Sequence, residues 1–201
     1  MIKLNNISKT IRGNVVLTDI NLEFNKGEVI MLHGHNGSGK TMLLRLLCDL
    51  IKPTSGNIER PPALRFGVII ENPTLFQNET AFYNLKYLAS INKIIGSGEI
   101  EKWLKIFNLY DKKNVKVRKF SLGMRQRLAL CQAFMENPDV ILLDEPFNGV
   151  DDDNMQAIYK VVEEEKAKGK LVVIASHVKI SVDGLVTKFV KMSDGNVVEV
   201  I

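Results

Sequence analysis

Eight consecutive residues, Gly34-His35-Asn36-Gly37-Ser38-Gly39-Lys40-Thr41, have the types and spacing to hold a phosphate chain, because they match GxxxxGK[ST] without a gap. Glycines let successive backbone N–H groups curl round a phosphate with no Cβ in the way. A helix opening at Lys40 adds its unpaired N–H groups and the positive end of its dipole. Lys40 would reach the β- and γ-phosphates, and the Thr41 hydroxyl would ligate Mg²⁺. A second group supplies what hydrolysis needs. Four apolar residues, Val140-Ile141-Leu142-Leu143, lead into Asp144-Glu145. An aspartate ending a buried strand can hold Mg²⁺ through water, and the glutamate after it is placed to polarise or orient an attacking water. Together the two motifs describe a nucleoside triphosphate and its metal.

Such a loop must lie between a strand and a helix. Gly27 to His33 ends in a short apolar β-type run, and Met42 to Leu50 is helical in composition, so a helix is expected from Lys40 to about Ile51. It stops at the breakers Lys52-Pro53-Thr54-Ser55-Gly56. Before the loop, alternation through Ile2, Leu4, Ile7, Val15-Val16-Leu17, Ile20, Leu22 and Phe24 predicts antiparallel strands joined near Arg12-Gly13-Asn14. After it come a short strand near Asn57-Ile58-Glu59, a corner at Pro61-Pro62 and a β-rich run from Leu64 to Ile70. From Glu71 the composition changes. Asn72-Pro73 opens a loop, and the stretch to about Asn137 reads as mostly helical, with Gly96-Ser97-Gly98 separating two helices. Strand 140–143, a helix from about Asp152 to Lys168, strand 171–175 and a hairpin round Ser193-Asp194-Gly195-Asn196 complete the chain, and no regulatory tail is expected after it. Strand and helix in alternation argue for a mainly parallel sheet with helices on both faces.

At 201 residues there is room for one domain with a sub-domain. A hydrophobic share of 45% and a charged share of 25% suit a soluble globular chain. No apolar run approaches the roughly 18 residues of a membrane span, and the N-terminus alternates like a strand rather than a signal peptide, so a cytosolic location is expected. Cys48 and Cys131 have no metal-ligand neighbours and read as buried, reduced and structural. The basic residues Lys112, Lys113, Lys116, Arg118 and Lys119, with Arg125 and Arg127, read as a solvated loop; the alternative is a surface for anionic lipid or nucleic acid. Without interleaved aromatics before Phe120, no nucleic-acid partner is expected. His33 reads as a core residue and His35 as a loop residue turned away from the phosphates.

Phe120-Ser121-Leu122-Gly123-Met124-Arg125-Gln126-Arg127 resembles the signature motif of ATP-binding-cassette (ABC) ATPases, commonly LSGGQ followed by a basic-Gln-Arg run. Other features fall in the order of that family. Asn148-Gly149-Val150-Asp151 is similar to its segment facing a partner subunit. His177 resembles its switch histidine for the γ-phosphate. Glu71 stands where the family has a glutamine near the metal, and Asn84-Leu85 and Asn137-Pro138 also fit. The form FSLGM with an acidic residue at position 71 looks most like the branch exporting peptide antibiotics and lantibiotics.

The resemblance implies an α/β P-loop NTPase fold with antiparallel N-terminal strands. Its RecA-like core would span about 1–70 and 138–201, and an inserted helical sub-domain about 71–137. It also implies ATP and Mg²⁺ as ligands. Lys40, Glu145 and His177 would be catalytic, and Thr41, Asp144 and Glu71 would hold the metal. Gly34 to Thr41 would bind nucleotide in cis, while Ser121 and Gly123 would cap the ATP of a second copy in a head-to-tail homodimer or paired cassette. The energy would drive transport, in the export direction by the branch, through a separate integral membrane permease docked near Glu71 to Lys86. The chain would then be peripheral on the inner face of the cell membrane. A soluble ATPase of the same superfamily, acting in translation, repair or assembly, is the alternative. Three departures bear on the chemistry: Leu122 and Met124 in the signature, Glu71, and a first turn, Thr10-Ile11-Arg12-Gly13, without the usual adenine-stacking aromatic. Ile11 or the plane of Arg12 would have to serve instead.

Overall fold

The computed structural model describes residues 1–71, 74–178 and 184–201. Strands β1 (Ile2–Ile11) and β2 (Asn14–Phe24) form the expected hairpin. Its turn residues Arg12 and Gly13 lie at φ 49° and 83°, the left-handed pair that matches strand twist in a two-residue turn. β3 (Val29–His33) runs into the phosphate loop, and helix α1 (Lys40–Leu47) leaves it. The helix is shorter than its composition predicts. Asp49 takes φ 65°, with Asp49 N–H donating to Leu46 O and Leu50 N–H to Arg45 O, the paired bonds of a left-handed helix stop.

β4 (Ser55–Glu59) pairs with β1, giving a three-stranded antiparallel sheet in the order β2-β1-β4. β5 (Phe66–Ile69) is narrower than the β-rich run around it. Asn72 and Pro73, expected to open a loop, lie outside the described residues. Helices α2 (Ala81–Asn92), α3 (Ser97–Ile106) and α4 (Leu122–Phe134) follow, with single 3₁₀ turns at Tyr110–Lys112 and Val117–Lys119 between the last two. Then come β6 (Val140–Asp144), α5 (Asp152–Ala167), β7 (Leu171–Ser176), β8 (Lys188–Ser193) and β9 (Asn196–Val200). The second sheet has the order β5-β6-β7-β3-β8-β9, parallel except for the final hairpin.

Period-2 alternation in the central strands sends side chains to two cores. Ile141, Leu143, Val172, Ile174, Val29 and Met31 face α5 and the helical block; Val140, Leu142, Val173, Ile30 and Leu32 face α1 and the antiparallel sheet. That is why these strands read as unbroken apolar runs. Within the block, Trp103, Phe107 and Phe134 stack with ring centroids 5.5–6.0 Å apart. Asn84 is buried and ties α2 to the preceding loop, donating to Phe76 O and Thr80 O and accepting from Phe76 N–H. Cys131 is buried as expected, whereas Cys48, on the last turn of α1, is only half-buried. Two of the basic residues also belong elsewhere. Arg125 donates to Phe120 O, and Arg127 donates to Phe107 O, Asn108 O and Asn154 Oδ1, so both stitch α4 to its surroundings instead of facing solvent.

α4 lies so close to β5 that a Cβ on Gly67 would sit 1.9 Å from Ala133 O. Gly67→Ala is therefore expected to cost about 3 kcal/mol, the upper range for overpacking. Urea unfolding would measure it, and a loss under about 0.5 kcal/mol would contradict this packing.

Candidate nucleotide site

The site grows from the carboxyl ends of three adjacent parallel strands. Register pairs His33 with Ser176 and Asp144 with Ala175, so the phosphate loop, Asp144-Glu145 and Ser176-His177 emerge side by side. The first two line a cleft of about 330 Å³ with Asn36 to Met42, Asp144, Glu145 and Val16 on its walls.

The loop's glycines have separate reasons to be there. A Cβ on Gly34 would meet Met192 O at 2.3 Å, and Gly39, at φ 101°, would press on Leu17 at 2.7 Å. Gly37, at φ 86°, has open space where a Cβ would project. Gly39 caps α1 with no side-chain bond, and the first turn holds no acidic residue, so the first N–H groups are available to an anion. The loop is braced from behind by the β8–β9 turn: Gly195 N–H donates to Ser38 O, and Thr18 N–H donates to Gly195 O.

Lys40 is 6% exposed, and its Nζ donates to Gly34 O at 2.6 Å and His35 O at 3.1 Å. Burial pulls its pKa below the usual lysine value, against the opposing charges of Glu145 and Asp144. The Asp144 carboxyl is pushed up, first by burial and further by Glu145, while the Thr41 hydroxyl, donating to Oδ2 at 2.7 Å, and a Glu71 backbone group work the other way. For both groups burial outweighs the attraction between the opposite charges. An anion against Lys40 and a hard cation at Thr41 and Asp144 would relieve both, so these residues fit phosphate and Mg²⁺. Among the described residues there is no cluster of three His, Cys, Asp or Glu able to hold a metal alone. A cation here would take its other ligands from water and phosphate.

Glu145 sits at φ 47°, left-handed and strained for a residue with a Cβ, a conformation costing about 1–3 kcal/mol. Contacts hold it there. Its N–H donates to Ala175 O at 2.8 Å, and its carbonyl accepts from Gln126 Nε2 at 3.4 Å. Its Oε1 accepts from His177 N–H at 2.8 Å and lies 2.7 Å from His177 Nδ1, while Oε2 accepts from Ser176 Oγ at 3.2 Å. A carboxylate aimed this firmly into a cleft with a phosphate loop is placed to act on water.

The other predicted residues divide. His35 faces the β8–β9 turn, 3.5 Å from Asp194 and Ser193, as expected of a side chain turned from the phosphates. His33 packs on Phe189. The Glu71 carboxylate pairs with Arg45 at 2.6 Å, so it meets Asp144 only through its backbone. Ile11 stays at the exposed hairpin tip, and neither it nor Arg12 lines the cleft; Val16 does. Ser121 caps α4, accepting from Met124 N–H, and no residue from 121 to 124 lines this chain's own cleft. Gly123 has a further duty, since its Cβ would lie 2.3 Å from Gly149 O. Sequence reasoning missed Val16, Ser176 and Gln126. The last two were visible as a strand end and as part of the signature run, but only the register of β6 against β7 and the fold of α4 bring them to Glu145.

Comparison with known proteins agrees with this geometry. The family model described as ABC transporter matches residues 17–148. The ABC transporter ATP-binding protein YybJ of Bacillus subtilis (strain 168) is 40% identical over 97% of this chain and 94% of its own length. The lantibiotic transport ATP-binding protein SrtF of Streptococcus pyogenes is 33% identical over 92% of this chain and 83% of its own. A dimeric post-hydrolysis structure of the ATP-binding cassette MJ0796 bound to ADP and Pi superposes with a TM-score of 0.91, at 26% identity, covering 100% of this chain and 98% of that one. The chain therefore belongs to the ABC transporter family, as an ATP-binding subunit.

Proposed function

We propose that this ATPase hydrolyses Mg-ATP in the cleft of Lys40, Thr41, Asp144 and Glu145, in a head-to-tail pair of copies, and powers export through a separate membrane permease. The observation that carries the reading is the Glu145 carboxylate, held by Ser176 and His177 beside the phosphate loop. On ATP binding Lys40 turns from Gly34 O and His35 O to the phosphates, and its charge offsets the charge that grows on them. Mg²⁺ at Thr41 and Asp144 would neutralise phosphate oxygens. Glu145 orients the attacking water and takes its proton. His177 holds Glu145 in its strained conformation and meets the γ-phosphate from the same side. Ser121 and Gly123, at the N-terminus of α4, cap the ATP of the other copy, which closes two equivalent sites. Gly149, against Gly123 and a few residues beyond Glu145, ties the cis and trans halves of the machinery together.

The relatives support the transport half of the reading, and nothing in the comparisons supports a non-transport role. Among the described residues no helix is long and apolar enough to cross a membrane, which fits a chain docked on the inner face of the membrane by a separate permease. Phe76 and Tyr83 lie in the expected docking segment, and Tyr87 follows it directly. They are exposed and packed on one another with centroids 5.0–6.5 Å apart, an aromatic platform of the kind interfaces use.

Glu145→Gln keeps the shape but not the base. ATP turnover is expected to fall at least about 100-fold while an ATP-bound dimer accumulates, seen by phosphate release and size-exclusion chromatography; near-normal turnover would remove Glu145 from its role. Ser121→Ala is expected to weaken ATP-driven dimerisation about tenfold and monomer ATP affinity less than about twofold, with about 1 kcal/mol lost in stability as the α4 cap goes. Equal losses in both equilibria would undo the trans assignment. With no aromatic ring among the described residues lining the cleft, GTP is expected to be hydrolysed within about tenfold of ATP, and a strict preference for ATP would contradict this.

A further inference from the structure

The segment between α3 and α4 runs alongside the start of α2, and together they make one surface. Backbone bonds join them antiparallel: Ala81 N–H donates to Val115 O, Phe82 N–H to Lys113 O, Val117 N–H to Glu79 O and Arg118 N–H to Gln77 O, while Lys116 stands in register with Thr80. Val115 and Val117 pack into the helical block, which leaves Lys116 and Arg118 exposed. The pairing seats these cations beside the exposed rings of Phe76, Tyr83 and Tyr87, which lie far from them in sequence.

Charge sets this surface apart. Positions 76–87 and 111–119 hold six cations against two acids, an excess of four that equals the net charge of the whole chain. The remaining charges cancel. Lys113 is held by Glu101 at 2.6 Å, but Lys86, Lys112, Lys116, Arg118 and Lys119 are exposed and make no ion pair among the described residues. Exposed lysines elsewhere have acids, as Lys3 has Glu23 and Lys52 has Asp49. A patch of one sign without interleaved acids raises the local potential and draws a polyanionic surface to it.

We infer that Lys86, Lys112, Lys116, Arg118 and Lys119 bind the anionic phospholipid headgroups of a membrane surface directly. From the permease reading the inference takes only which face is turned to the membrane; the contact is between this chain and lipid and needs no permease residue. Aromatic rings beside lysine are the composition of the interfacial zone, where the ring sits at headgroup level and the cation meets phosphate. A polynucleotide offers the same phosphates. Phe76, however, stands edge-on to Tyr83 and Tyr87, at 76° and 86°, so the rings cluster and do not form a row of parallel faces for successive bases. Each cation near an anionic bilayer strengthens binding about fivefold, and the attraction fades within about one Debye length.

The test is co-sedimentation of the purified full-length chain with vesicles of phosphatidylcholine alone, or of phosphatidylcholine and phosphatidylglycerol in equal parts. The unaltered chain is compared with a patch variant, Lys112→Gln, Lys116→Gln and Arg118→Gln together. A control variant, Lys52→Gln, Lys160→Gln and Lys191→Gln, removes the same charge from exposed positions elsewhere. Lys119, close to the Ser121 cap, stays in place, and ATP turnover of the free chain is expected to be unchanged in both variants. The expected result is binding of the unaltered chain to the mixed vesicles but not to phosphatidylcholine alone. The patch variant should bind at least about 30-fold more weakly and the control within about threefold of the unaltered chain, and about 1 M salt should release all three. No preference for the mixed vesicles, an equal loss in both variants, or displacement of the chain from the vesicles by single-stranded RNA at a lower phosphate concentration overturns the inference. None of these outcomes touches the permease reading, which fails separately if the unaltered chain captures no multi-span protein from native membranes.

Discussion

The register of three parallel strands governs the molecule. β6, β7 and β3 lie side by side with their carboxyl ends level, so one edge of the sheet collects the phosphate loop, the Asp144-Glu145 pair and the Ser176-His177 pair. Slipping any strand by one residue would exchange its two faces and put the wrong side chains into both cores. The apolar runs that fix the register therefore also fix the distance between groups more than a hundred residues apart, such as Thr41 and Asp144 at 2.7 Å. Ligands of open α/β sheets sit outside the carboxyl ends of the strands for this reason.

Within that frame the site stores unfavourable electrostatics. Burial disfavours the charged forms of Lys40 and Asp144 in spite of their mutual attraction, and Glu145 is bent into a left-handed conformation held by its neighbours. On the proposed reading, nucleotide at Lys40 and metal at Thr41 and Asp144 would offset these burial costs, so binding would be coupled to rearrangement of Lys40 and of the Thr41–Asp144 contact. The same elements lead outward. Gln126 of α4 touches the Glu145 main chain, and Gly149 lies against Gly123, so on the proposed reading a change at the γ-phosphate would have a short path to α4.

Most of the fold was legible because its signals are local. The Arg12-Gly13 turn, the helix from Asp152 and the central apolar strands all follow from periodicity and turn residues. The end of α1 was not, since the left-handed stop at Asp49 carries no glycine to announce it. That the phosphate loop and Asp144-Glu145 meet in one cleft follows the order that motif spacing implies. What lay beyond it depended on side-chain direction: Glu71 turning to Arg45, Arg127 turning inward to Asn154, and Val16 rather than Ile11 reaching the cleft. Spacing places a residue on a segment but leaves the choice of neighbour to packing.

The central claim is that the phosphate loop is half of a site completed by another copy. A structure of Glu145→Gln with Mg-ATP tests it most directly. The account predicts two copies related by two-fold symmetry, each ATP lying between Gly34 to Thr41 of one and Ser121 to Gly123 of the other. ATP bound in a single copy, with Ser121 and Gly123 facing solvent, would contradict it.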